Sequence, residues 1–170
     1  IRRERDVDPA STDAEFRRDA GNVSAQTVLA HIRRATVGEP KRVNTHPFAC
    51  RNHMLAHNGH IPAFDTVRQR MLDAMTAEHR KMISGDTDTE HFFHLLLTHF
   101  EKDVDLSMTD ALRRTARQVY RWSHEADPDE ELALNILWTH EDALVGCRHN
   151  RTLWYVERRD THPCEICGTF

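Results

Sequence analysis

The apolar periodicity of the chain changes twice, and that change constrains the fold more than any other feature. Val28-Leu29-Ala30-His31-Ile32-Arg33 alternates, with Val28, Ala30 and Ile32 on one face and Leu29, His31 and Arg33 on the other; a period of two predicts a strand. A second short strand is expected over residues 53–57, closed by Asn58-Gly59, a strong tight-turn signal. Phe64, Val67, Met71 and Met75 then recur at helical spacing and predict a helix over 64–78. Thr87-Asp88-Thr89-Glu90 has the form of a capping box, in which the Thr hydroxyl and Glu carboxylate each serve an orphan amide. The helix it opens carries Phe92, Phe93, Leu95, Leu96, Leu97 and Phe100 and should be buried. A third helix is expected over 108–123, with Leu112, Val119 and Tyr120 inward and Arg113, Arg114, Arg117 and Arg121 outward.

After Asp127-Pro128-Asp129-Glu130-Glu131 the period returns to two over 132–138, 143–148 and 152–157. The short connections between these segments predict an antiparallel meander, because parallel crossovers need a dozen or more residues. Residues 1–26 are polar and mixed in charge, and no strand is expected there. Strands, then helices, then strands indicate an α+β domain with segregated helices.

A chain of 170 residues can bury one sizeable core. Its 23 Lys and Arg against 27 Asp and Glu, a net charge of −4, are too balanced to mark a nucleic-acid or membrane surface. No apolar run approaches the roughly 18 residues of a membrane helix, and Ile1-Arg2-Arg3-Glu4-Arg5-Asp6 is too polar for a signal peptide. Sparse cysteines at 50, 147, 164 and 167 fit a reducing compartment. A cytoplasmic protein with neither nucleic-acid nor membrane partners is therefore expected.

Four segments carry candidate chemistry: His31-Ile32-Arg33-Arg34-Ala35-Thr36-Val37-Gly38, Asn44-Thr45-His46-Pro47-Phe48, His57-Asn58-Gly59-His60-Ile61 and Gly85-Asp86-Thr87-Asp88-Thr89-Glu90. In this order and spacing they resemble the class II glutamine amidotransferases, over roughly residues 20 to 157. The likeness is nearest to the small stand-alone branch of that N-terminal-nucleophile family. It implies a four-layer αββα fold and hydrolysis of the side-chain amide of glutamine, or of a γ-glutamyl amide. In that family an N-terminal cysteine attacks the amide carbon with its own α-amine as base. Ammonia leaves from a thioester, which water then hydrolyses.

The resemblance implies a role for each matching residue, and each has a plainer alternative. Arg33 matches the clamp of the glutamine α-carboxylate, which a guanidinium grips bidentately; the alternative is a solvated surface arginine. Thr36 matches a hydroxyl supporting the same carboxylate. Asn58 and Gly59 match the oxyanion hole, a side-chain amide and a backbone N–H, although Asn-Gly is also what a hairpin turn would use. Asp88 matches the partner of the substrate ammonium, or is a helix-start carboxylate favoured by the macrodipole. His46, before Pro47, either lines the glutamine pocket or is a structural loop histidine.

The nucleophile of such an enzyme is not among residues 1–49, and Cys50 cannot substitute because the mechanism needs a terminal amine beside the thiol. The resemblance therefore places the cysteine and its strands upstream of Ile1, so that the fold is incomplete at its N-terminus and the chain alone is inert. The alternative is a relative without activity that binds a glutamine-like ligand. The implied reaction uses no cofactor and no metal. Partners are then glutamine or a γ-glutamyl small molecule, with a second copy of the chain as the macromolecular partner to consider. Cys164-x-x-Cys167 near His162 has zinc-ligand spacing and marks 158–170 as the start of a small metal knuckle. His91 and His94, three apart without a His-Glu-x-x-His frame, read as ordinary helix residues.

Overall fold

A computed structural model describes residues 3–33 and 39–157. Thr36 and the Cys164-x-x-Cys167 segment lie outside the described residues. The element order is α1 (Ala14–Asn22), a short 3-10 turn (Arg42–Asn44), β1 (Phe48–Cys50), β2 (His53–His60), α2 (Phe64–Ala74), α3 (Ala77–Met82), α4 (Asp88–Lys102), α5 (Met108–Ala126), β3 (Ala133–His140) and β4 (Ala143–His149). This is the expected α+β arrangement, with a four-stranded antiparallel sheet ordered β1-β2-β3-β4 and a helical layer on one face.

Strand register decides which side chains face the helices. Leu55 pairs with Trp138 and His57 with Ile136, while Phe48 lies opposite Leu55, so these five share one face of the pleat. All are buried, with Phe92, Phe93, Leu95, Leu96 and Leu97 of α4 filling the other side of the core. Helix α4 is buried from Asp88 through His99 because α2, α3, α5 and β2 all pack around it. In α5 the buried residues Ala111, Thr115, Val119 and Ser123 form an i, i+4 stripe with buried Leu112 beside it, and the four arginines are exposed as expected. Tyr120 is not inward: one residue beyond that stripe, it is 44% exposed and lies against His124 and His149.

Four expectations are corrected. The helix expected over 64–78 is two helices. Met75 leaves the helical region (ψ 156°), and Thr76 caps α3 by accepting from the His79 amide at 3.3 Å. The strand expected over 28–33 has no ladder partner among the described residues, and Ile32 is 80% exposed; alternation supplies a face, but a strand also needs an edge to pair with. The third meander strand over 152–157 does not form either. Asn150 adopts positive φ (52°) and its side-chain amide donates to the Leu132 carbonyl, which carries the chain off the β4 edge. Finally, Asn58-Gly59 is not a turn: β2 continues to His60, paired with β3 along its whole length.

Candidate active site

The capping sequence at 87–90 builds the floor of a cleft. The Thr87 hydroxyl accepts from the Glu90 amide at 3.2 Å, as a capping box requires. The Glu90 carboxylate does not return to the cap residue; it takes the amides of Ser84 (3.0 Å) and Gly85 (2.7 Å) and holds the loop before the helix. That loop is tied to the 44–46 segment by the buried Asn44, whose side chain donates to Asp86 Oδ1 (2.6 Å) and accepts from the Asp86 amide (3.1 Å). Gly85 is required at this contact, since a Cβ there would lie 2.2 Å from Asn44 Oδ1. Two segments some forty residues apart in sequence are thereby locked together.

Asp88 opens α4 and is 5% exposed. Its Oδ2 accepts from the Ile61 amide at 3.0 Å and its Oδ1 from the Thr89 amide at 2.7 Å. The first bond fastens the helix N-terminus to the end of β2. His57 is fixed beside it: only its Nε2 can donate to the Ala133 carbonyl (3.1 Å), so Nδ1 accepts from the Thr89 hydroxyl (2.9 Å). Burial pushes the His57 pKa down and keeps the ring neutral. Gly59 makes room for this ring, because a Cβ would sit 1.9 Å from the Ala133 oxygen and 2.6 Å from His57 Nε2. Glycine is thus used here for close approach inside a strand rather than for a turn.

His31 and His46 form the wall. His31 Nε2 donates to the His57 carbonyl at 3.0 Å, which leaves Nδ1 a bare acceptor. His46 stacks on it with ring centroids 4.1 Å apart and meets Phe48 edge-on. His31 Nδ1 and both His46 nitrogens are buried without a hydrogen-bond partner among the described residues. Burial, reinforced by His31 and His57, lowers the His46 pKa to about 2. An unpaired buried polar atom costs about 1–3 kcal/mol, so three at one place call for partners outside the described residues, a bound ligand among them.

These groups line one cleft of about 340 Å³, a small-ligand volume. Arg33, His46, Asn58, Gly59 and Asp88 all border it. The structure therefore brings together every site residue expected from the sequence except Thr36, which lies outside the described residues. Asn58 is exposed, in contrast to the buried histidines beside it. A cationic guanidinium, a carboxylate and a pair of amide donors on one cleft suit a small zwitterion carrying an amide or carbonyl group. Neither described cysteine, Cys50 nor Cys147, borders the cleft.

Residues 3–166 match the family model described as glutamine amidotransferases class-II. The chain belongs to that family. It is 29% identical over 135 residues to the probable glutamine amidotransferase DUG3 of Saccharomyces cerevisiae, covering 73% of this chain and 38% of the yeast protein. It is 33% identical over 101 residues to the isomerizing glutamine–fructose-6-phosphate aminotransferase of Aliivibrio fischeri, covering 59% of this chain and 15% of that one. The solved structure of a glutamine aminotransferase class-II domain protein from Silicibacter pomeroyi superposes with a TM-score of 0.68 at 26% identity, over 86% of this chain and 61% of its own. The chain thus spans well under half of the two curated relatives it matches.

Several residues that border the cleft were given no role from sequence. His31, His57, Thr89 and Arg151 all line it. His57 and Thr89 adjoin motif positions, and alternation in β2 could have flagged His57 as facing inward. Arg151 had no such signal. It reaches the cleft only because the chain leaves the β4 edge at Asn150 instead of continuing the meander.

Proposed function

We propose that the cleft binds glutamine or a γ-glutamyl amide and that the protein hydrolyses that amide through a cysteinyl thioester, releasing ammonia. Arg33 grips the α-carboxylate and Asp88 the α-ammonium of the substrate. The Asn58 side-chain amide and the Gly59 N–H donate to the oxyanion that develops on the amide oxygen. His46 and His31 supply acceptors for the substrate's N–H groups and, being neutral, add no charge to compete with Arg33. The nucleophile is a cysteine preceding Ile1, whose thiolate attacks the amide carbon while its terminal amine carries the proton to the departing ammonia.

One observation supports this reading above the others: Arg33, Asn58, Gly59 and Asp88 come from three separate segments and border a single cleft. The position of the cysteines supports the upstream nucleophile. Cys50 sits in the core beside Met82, and Cys147 pairs with Ile136 on the helix-facing side of the sheet.

An electrophilic glutamine analogue tests the proposal. It should label the full-length protein stoichiometrically at its leading cysteine, with glutamine protecting. The chain of residues 1–170 alone should not be labelled. Labelling at Cys50 or Cys147, or glutaminase activity from residues 1–170, would overturn the assignment of the nucleophile. Saturable glutamine binding by the full-length protein without labelling would show a ligand-binding relative instead of an enzyme.

A further inference from the structure

The other end of β2 carries a second cluster of polar side chains, and it lies outside the cleft. Cys50 ends β1 on the core face, His79 lies in α3 and His94 in α4. The Cys50 sulfur and one ring nitrogen of each histidine all lie within 4.8 Å of one another. The three residues are 9%, 1% and 4% exposed. His79 Nδ1 and His94 Nδ1 face each other at 3.1 Å.

The partners behind the cluster define its chemistry. His79 Nε2 lies 3.1 Å from Glu101 Oε2, and a carboxylate only accepts, so Nε2 carries the hydrogen and Nδ1 is the nitrogen left to hold a metal. A carboxylate orienting a histidine in this way is the usual support of a metal-bound imidazole. Glu101 is itself held by Arg51 Nη1 at 2.6 Å, and Arg51 also pairs with Glu78. The Met82 thioether lies 3.6 Å from the Cys50 sulfur and adds a second soft donor.

We propose that Cys50, His79 and His94 form a binding site for a thiophilic cation, Zn²⁺ or Cu⁺, that fastens the end of β1 to α3 and α4. Two nitrogens on one tetrahedral zinc lie about 3.3 Å apart, close to the 3.1 Å seen between the two Nδ1 atoms. One thiolate and two imidazoles suit zinc, and the neighbouring thioether extends the set toward cuprous copper. On binding, the Cys50 thiol loses its proton to solvent and the His94 ring hydrogen moves from Nδ1 to Nε2. The charges then balance: for zinc, the Cys50 thiolate and the Glu101 carboxylate offset the dication, and Arg51 remains matched by Glu78. The site is independent of the glutamine reading, since it shares no residue with the cleft.

Metal uptake by the full-length protein tests the site, in a Cys164→Ser/Cys167→Ser background so that the C-terminal pair contributes nothing. Dialysis against micromolar zinc chloride, or against cuprous ion under anaerobic reducing conditions, should leave one equivalent of at least one of the two metals. Cys50→Ser and His94→Gln should each lower that affinity at least a hundredfold, and Glu101→Gln by 10- to 100-fold. Cobalt(II) in the site should show thiolate-to-metal charge-transfer absorption that Cys50→Ser abolishes and that persists after the leading cysteine is blocked. Less than a tenth of an equivalent of both metals, undiminished uptake by Cys50→Ser, or a cobalt complex without the thiolate band would each overturn the proposal.

Discussion

The two ends of β2 are both rich in histidine, yet their polar atoms meet opposite fates. At the His60 end, His31 Nδ1 and both His46 nitrogens are buried without partners among the described residues, and Asn58 is exposed to the cleft. At the His53 end Nδ1 of His53 and of His94 and both nitrogens of His79 have partners. Trp138 Nε1 donates to His53 Nδ1 at 3.2 Å, and His79 is bound on both sides, by His94 and by Glu101. The same residue type therefore builds an open cleft at one end and, at the other, a buried cluster whose ring nitrogens meet protein partners in the metal-free chain. The difference lies in how many hydrogen-bonding positions the described residues leave open, and open positions in a buried wall need a further partner to complete them.

Acidification should cost stability at both ends, since His46 at the open end is held neutral as firmly as the rings of the core. Burial lowers the pKa of His53, His94 and His99 to about 4 in each case, while an unfolded histidine titrates near 6.5. Below pH ~6.5 the unfolded chain takes up protons that the native core refuses, so stability falls as pH falls from about 6.5 to 4. Each unit of depression is worth about 1.4 kcal/mol, so the summed loss in the metal-free protein should reach several kcal/mol. Denaturant melts at pH 7, 5.5 and 4.5 read it; a midpoint unchanged across that range would mean that these rings are not held neutral.

The open end should respond in catalysis as well. On the proposed reaction, Asn58→Ala in the full-length protein should lower kcat by roughly 10²- to 10³-fold, the usual loss for one oxyanion donor. Its effect on Tm should be small, because Asn58 is exposed and makes no side-chain hydrogen bond among the described residues. Unfolding at lower temperature with kcat preserved would assign Asn58 to the framework.

A smaller effect separates substrate grip from chemistry. Arg33→Lys and Asp88→Asn should mainly raise KM for glutamine, since losing a charge-assisted contact costs about 1.5–3 kcal/mol. Asp88→Asn has a second consequence, because Asp88 Oδ2 also accepts the Ile61 amide that joins α4 to β2. Arg33→Lys is therefore the cleaner probe, and wild-type kinetics from both variants would remove the pair from the site.

Much of this protein could be read before folding was considered. The alternation of β2, β3 and β4, the helical stripe of α5, the Thr87 cap and the motif residues Arg33, His46, Asn58, Gly59 and Asp88 are local patterns, and local patterns survive in a linear sequence. Tertiary structure decided what those patterns could not encode. It used Asn58-Gly59 inside a strand because β3 pairs past them, and it spent the missing Cβ of Gly59 on the His57–Ala133 contact. It left residues 28–33 without a ladder among the described residues and turned the chain at Asn150, so that Arg151 arrives at the cleft. It also gathered Cys50, His79 and His94 from positions far apart in the chain. The reason is the same in each case: pairing edges, close approaches and convergent side chains depend on which distant backbone arrives alongside, and no window of neighbouring residues contains that partner.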